Sequence, residues 1–134
     1  MNSYIARMST FFVLENLDNL RKNGRLTELQ AVITSALRVK LVMKATPAGT
    51  IAKHGQALTV KQGLSKMVDA AVEKAKLHGV EDKTLVISHC NCADRALYVK
   101  KLFAQKLKFK RVEIVCTGGI STVYAGDGGV VIAF

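Results

Sequence analysis

A strand–helix–strand run in the last third of the chain constrains the fold most. "KTLVIS" at 83–88 and "RVEIVC" at 111–116 are short β-rich runs, and "ADRALYVKKLFAQKL" at 93–107 sets Ala96, Val99, Phe103 and Leu107 on one helical face. Strands separated by a helix of about four turns do not form a hairpin, so these two are expected to be parallel neighbours joined by a right-handed crossover.

The remaining segments fit around that unit. "MNSYIARMS" has no clear period, and "FFVL" reads as a short buried strand. In "ENLDNLRK" a helix is indicated by Leu14, Leu17 and Leu20 or Arg21, and Asn23-Gly24 stops it. "LTELQAVITSAL" follows as a second helix, with Thr27 as a possible cap and Leu29, Val32, Ile33, Ala36 and Leu37 on one face. From Arg38 the pattern becomes "VKLVMKA", the turn "TPAG", then "TIAK", "HG" and "QALTV", which predicts a hairpin or small meander. Between Gly63 and Gly79 a helix carries Leu64, Met67, Val68, Ala71, Val72 and Ala75 on one stripe. His78-Gly79 ends it. The expected fold class is therefore a two-layer α/β domain, a mixed β-sheet with helices packed on it, as a single domain over 1–134.

A chain of 134 residues can bury one core without a disulfide. Three cysteines, with no leader-like segment, predict a reducing, cytoplasmic setting, and no apolar run approaches the roughly 18 residues of a membrane span. The net charge of +10 invites an anionic partner. With 6% aromatics and no Trp, base stacking has little to work with, so nucleic acid ranks below an acidic protein. In "KKLFAQKLKFKR", 100–111, Lys100, Lys101, Lys106 and Lys108 fall on the outer helical face; a solvated surface is the first reading and a docking patch the second.

"SHCNCAD" at 88–94 follows a predicted strand, where α/β proteins often place ligand contacts. His89, Cys90, Cys92 and Cys116 make a poor zinc set, because C-x-C is closer than the usual ligand spacing. A catalytic Cys–His pair lacks an identifiable third residue to orient it. The plainer expectation is that Cys90 and Cys116 pack as small apolar groups, without metal or disulfide, while Asn91 or Asp94 caps the next helix.

The chain ends on "TGGISTVYAGDGGVVIAF", with five glycines within twelve positions before an apolar run. Such a cluster implies a tight turn or a close approach to the backbone, by a ligand or by another strand. Upstream, "KNGRLTE" sets Arg25 between a helix stop and a helix start, and by itself it reads as surface.

Taken together, "FFVLENLDNLRKNGRLTELQAVITSALRVKLVM" resembles the DegV-family segment of strand, Leu-rich helix, Gly-Gly-Arg-Ile, helix and a strand commonly containing Ile-Lys-Pro. "TVYAGDGGVVIAF" looks like that family's closing Thr-His-Thr-Gly-Pro-Gly motif and last strand. The resemblance covers essentially the whole chain but only the family's second half, its C-terminal domain; the first domain has no counterpart. It implies noncatalytic binding of a long-chain fatty acid, with the acyl chain in an apolar slot and the carboxylate near the glycine loop, and neither metal nor cofactor. Arg25 and Tyr124 would contact the carboxylate, helped by Thr122, while Gly126 and Gly128 shape the loop. A fatty-acid kinase, or a separately encoded N-terminal domain, is the implied protein partner. The chain departs from the pattern at Tyr124 in place of His, Asp127 in place of Pro, Asn23 in place of the first Gly and Leu41 in place of the Pro after Lys40. Leu58 replaces an arginine common in the third strand of the meander, and Arg25 is retained. The alternative is a basic interaction module that keeps the fold without the ligand and binds an acidic protein or nucleic acid.

Overall fold

The computed structural model describes residues 2–17, 20, 22, 24 and 39–134. The elements run in the order α1 (Asn2–Arg7), β1 (Thr10–Val13), β2 (Lys40–Ala45), β3 (Ile51–Ala57), α2 (Val60–His78), β4 (Thr84–His89), α3 (Ala93–Lys106), β5 (Arg111–Cys116), α4 (Gly119–Ala125) and β6 (Val130–Ala133). The helix expected over 27–37 and the candidate residue Arg25 lie outside the described residues.

Six strands form one sheet in the order β3-β2-β1-β6-β4-β5. The crossover unit behaves as its spacing requires: β4 and β5 pair in parallel from Thr84↔Arg111 to His89↔Cys116. Every other pair is antiparallel, so the sheet is mixed. The apolar C-terminal run enters the middle of the sheet as β6, between β1 and β4. Beyond it, the Ser9 and Phe134 backbones exchange hydrogen bonds at 2.7 and 3.0 Å.

Because successive strand residues point to opposite faces, the fully apolar runs in β1 and β2 imply burial on both sides. One face carries Phe11, Val13, Val42, Leu85, Ile87, Val130 and Ile132 against Leu64, Met67, Val68 and Ala71 of α2 and Ala96, Val99 and Phe103 of α3. The opposite face carries a second cluster of Phe12, Leu14, Leu20, Leu41, Met43, Cys90 and Ala125. Toward β5 that face becomes polar and open, with Arg111, Glu113 and Val115 exposed.

Several expectations need correction. The long helix starts at Val60 rather than after Gly63, because the Thr59 hydroxyl accepts the Gln62 N–H at 3.2 Å and caps it. Gly63 sits inside the helix as a small contact: a Cβ there would lie 3.4 Å from Val13 Cγ1. His54-Gly55 makes no turn. β3 runs straight through it, and the irregularity appears as a register shift opposite Val42/Met43. No third meander strand follows, since Leu58 is exposed and Thr59 already caps α2. Neither Asn91 nor Asp94 caps α3. The N-cap position is Cys92, with no side-chain cap bond, and Asn91 takes the turn at φ 57°. Cys90 is buried as expected, whereas Cys116 is exposed at the sheet end. Among the described residues, no helix is long and apolar enough to cross a membrane.

Candidate functional site

The second face of the sheet supplies an apolar wall. Phe12 from β1 and Leu41 and Met43 from β2 form its floor, and the half-buried Val131 of β6, Ile51 of β3, Leu17 and Val39 pack against them. α4 closes one end with Ala125 and the half-buried Tyr124. This helix was not anticipated; "GISTVYA" makes seven helical residues between Gly118 at its N-cap and Gly126 at its C-cap.

The loop from α4 into β6 is pinned to the end of β4. The Gly128 N–H donates to the Cys90 carbonyl at 2.8 Å and the Cys90 N–H donates to the Gly129 carbonyl at 3.0 Å. Gly126 follows the helix at φ 67°, its N–H donating to the Thr122 carbonyl. Gly128 has φ 90°, a region open essentially to glycine, and the Arg95 guanidinium passes 2.6 Å from where a Cβ would stand. At Gly129 the constraint is steric: a Cβ would lie 2.7 Å from the Ala125 carbonyl oxygen and 2.9 Å from Leu14 Cδ2. What approaches these glycines closely is thus, first, the protein's own helix end and an arginine.

Arg95 is part of a charged cluster beside the loop. Its Nη1 donates to the Gly128 carbonyl and to Glu15 Oε2, both at 2.8 Å. Lys40 Nζ lies 2.9 Å from Glu15 Oε1 and donates to the Glu15 backbone carbonyl at 3.1 Å. Hydrogen bonding from Lys40 foremost, and from Arg95, holds the Glu15 carboxyl below its usual range, while partial burial works against them. Two cations share the Glu15 carboxylate here, so the cluster itself keeps an excess of positive charge, while Asp127 adds an exposed carboxylate to the loop.

At the end of β4, His89 is 7% exposed and its Nδ1 accepts the Cys92 N–H at 3.1 Å. The Cys92 thiol donates to the Gly129 carbonyl at 3.4 Å, and burial pushes that thiol up. All three cysteines are free, and among the described residues no group of three or more His, Cys, Asp or Glu is placed to hold a metal ion.

The candidate residues are distributed unevenly around this framework. Tyr124 packs on the apolar cluster, and Gly126 and Gly128 lie in the pinned loop. Thr122 stands two residues from Tyr124 on one helical turn, so the two side chains leave in well-separated directions. The Thr122 hydroxyl shares a hydrogen bond with the Thr117 hydroxyl at 3.0 Å. Asp127 is exposed. The residues that sequence reasoning missed are Gly129, Glu15, Lys40 and Arg95. Gly129 had a local signal in the Gly-Gly pair, but the ion cluster joins positions 25 and 80 residues apart and leaves none.

Comparison with known proteins is consistent across the whole chain. The sequence profile of the DegV family, described as uncharacterised protein, DegV family, matches residues 1–134. A DegV domain-containing protein of Streptococcus gordonii is 28% identical over 134 residues, which is 100% of this chain and 46% of that protein. The chain therefore spans about half the length of the curated relatives it matches. Among solved structures, a DegV family protein from Ruminococcus gnavus refined with vaccenic acid superposes with a TM-score of 0.91 at 45% identity, over 98% of this chain and 46% of that one. A fatty acid binding DegV family protein from Streptococcus agalactiae gives 0.86 at 29%, with the same coverage. The Streptococcus pneumoniae Fatty Acid Kinase (Fak) B3 protein loaded with linoleic acid gives 0.77 at 25%, over 99% of this chain and 46% of that one. With the family profile matched from end to end and a TM-score of 0.91 to a solved family member, the chain belongs to the DegV family.

Proposed function

We propose that the chain binds a long-chain fatty acid, with the acyl tail against the second face of the sheet and the carboxylate toward the glycine loop. The observation that carries this reading is the second apolar cluster, which runs across β1, β2 and β6 on the side away from α2 and α3 and ends at α4 and the pinned loop. Burying each methylene contributes about 0.8 kcal/mol, so the tail supplies most of the affinity. The vaccenic-acid relative at 45% identity supports the ligand class.

At the head-group end, Arg25 is assigned the charged contact, with Tyr124 as an uncharged hydroxyl donor and Gly126 and Gly128 shaping the loop, while Thr122, which leaves α4 in another direction and bonds Thr117, is assigned to holding that helix in place. The exposure of Asp127 directs its charge to solvent, and Lys40 with Arg95 offsets Glu15, so the loop is electrostatically open to an anion. The function is binding rather than catalysis, in a single domain that corresponds to the family's C-terminal one, in the cytoplasm. A fatty-acid kinase is the natural protein partner by analogy with the pneumococcal relative. The exposed Lys100, Lys101, Lys108 and Lys110 favour an acidic docking surface on such a partner and are also what an interaction module without ligand would retain.

Calorimetric titration with oleate and with methyl oleate tests the assignment. Saturable binding of oleate, weaker binding of the ester, and further weakening by Arg25→Ala more than by Tyr124→Phe are expected; Tyr124→His should strengthen it. Equal affinity for acid and ester removes the carboxylate site, and no binding of either removes the slot and leaves the interaction module.

A further inference from the structure

The ligand reading leaves unused a side-chain pair at the C-terminal ends of β4 and β5, beside the pinned loop. Parallel register sets His89 opposite Cys116, and His89 Nε2 lies 3.8 Å from Cys116 Sγ. The ring is held from its other side, because Nδ1 accepts the Cys92 N–H at 3.1 Å. An Nδ1 that accepts carries no proton, so the neutral imidazole keeps its hydrogen on Nε2 and aims it at the sulfur. The Thr117 N–H donates to the His89 carbonyl at 2.9 Å and fixes the two chain segments relative to each other. His89 is therefore a buried, oriented N–H donor whose described target is one sulfur.

Access differs sharply among the thiols. Cys90 and Cys92 are 7% and 6% exposed, and the Cys92 thiol is engaged with the Gly129 carbonyl. Cys116 is exposed, and the Gly118-Gly119 pair that follows has open space where side chains would otherwise stand. A thiolate is the species that attacks a disulfide, and a positioned N–H can donate to the charged sulfur far more effectively than to a neutral one.

We propose that Cys116, positioned by His89, is a thiol-modification site that exchanges with low-molecular-weight disulfides of the glutathione type. The Cys116 thiol gives its proton to water, and the thiolate attacks one sulfur of the small disulfide, forming a new S–S bond as the old one breaks. The other half leaves as a thiolate and takes a proton from water; the protein sulfur is oxidised and the departing half reduced. The proposal does not rest on the fatty-acid assignment, and the site borders the pinned loop through Thr117, which bonds both His89 and Thr122.

The test is per-site peptide mapping by mass spectrometry of the full chain exposed to oxidised glutathione at neutral pH. The native chain should acquire a single adduct at Cys116, forming about tenfold faster or more than at Cys116 in the urea-unfolded chain. Cys116→Ser should abolish the native adduct, and His89→Gln, with folding checked by circular dichroism, should bring the rate close to the unfolded value. First modification at Cys90 or Cys92, or equal native and unfolded rates at Cys116, overturns the site. A folded His89→Gln variant that reacts as fast as the parent overturns the role of His89. Should that variant not fold, the native-to-unfolded ratio in the parent decides alone.

Discussion

Replacing Gly129 by alanine tests how tightly the loop is built. The new Cβ would stand 2.7 Å from the Ala125 carbonyl oxygen, 3.2 Å from its carbonyl carbon and 2.9 Å from Leu14 Cδ2. Leu14 can adjust its rotamer, but Ala125 belongs to backbone that cannot retreat alone. The loop is tied by Cys90 N–H to Gly129, Gly128 N–H to Cys90 and Gly129 N–H to Gly126, at 3.0, 2.8 and 3.2 Å. Relief of the clash must lengthen one of these bonds or shift α4. Overpacking of this kind costs about 1–3 kcal/mol, and for a chain of this size each kcal/mol lowers Tm by about 3–5 °C. Gly55→Ala is the matched control. Nothing lies within 4 Å of its Cβ position, so alanine there should be neutral or stabilise by about 0.5 kcal/mol. Thermal unfolding followed by circular dichroism on both variants should give a clear loss for Gly129→Ala and none for Gly55→Ala. Equal melting temperatures for the two would refute the reasoning.

Two other perturbations follow from the same contacts. Glu15 titrates lower in the folded chain than in the unfolded one, so its stabilisation is complete above about pH 4.3 and is lost as pH falls through the lower folded value. Urea unfolding of Glu15→Gln across the acid range should therefore show a constant deficit at neutral pH that fades only on the acid side. Thr59→Ala removes the hydroxyl that accepts the Gln62 N–H and should cost about 1 kcal/mol in the same assay; an unchanged unfolding midpoint would show that the cap contributes nothing.

The crossover unit was legible because period and length agree with each other there. β5 has the predicted bounds, 111–116, and α3 and β4 lie within a residue of theirs. The stop of α2 was legible for a local reason as well, a glycine at φ 72° after His78. Its start was not. Gly63 resembled a boundary, yet it is a small residue pressed on Val13 inside the helix, and Thr59 had been absorbed into an imagined strand. His54-Gly55 misled in the same way, because a glycine in a strand marks a bulge as readily as a turn. At the site, the glycine cluster was visible but its neighbours were not: Arg95 and Leu14 reach it from distant parts of the chain. The orienting partner of His89 proved to be a backbone N–H, a donor that every residue type but proline carries and no side-chain pattern reveals.

The central claim, an acyl chain on the second face of the sheet, can be read from two methionine methyl groups. Met43 belongs to the second cluster and Met67 to the core between the sheet and α2; both are 0% exposed and lie on opposite faces of the same sheet. In a chain labelled with 13C at the methionine methyls, a saturating titration with oleate should shift the Met43 resonance strongly and leave Met67 nearly unmoved. A shift of Met67 with Met43 unchanged, or no change in either at saturation, would contradict the placement of the tail.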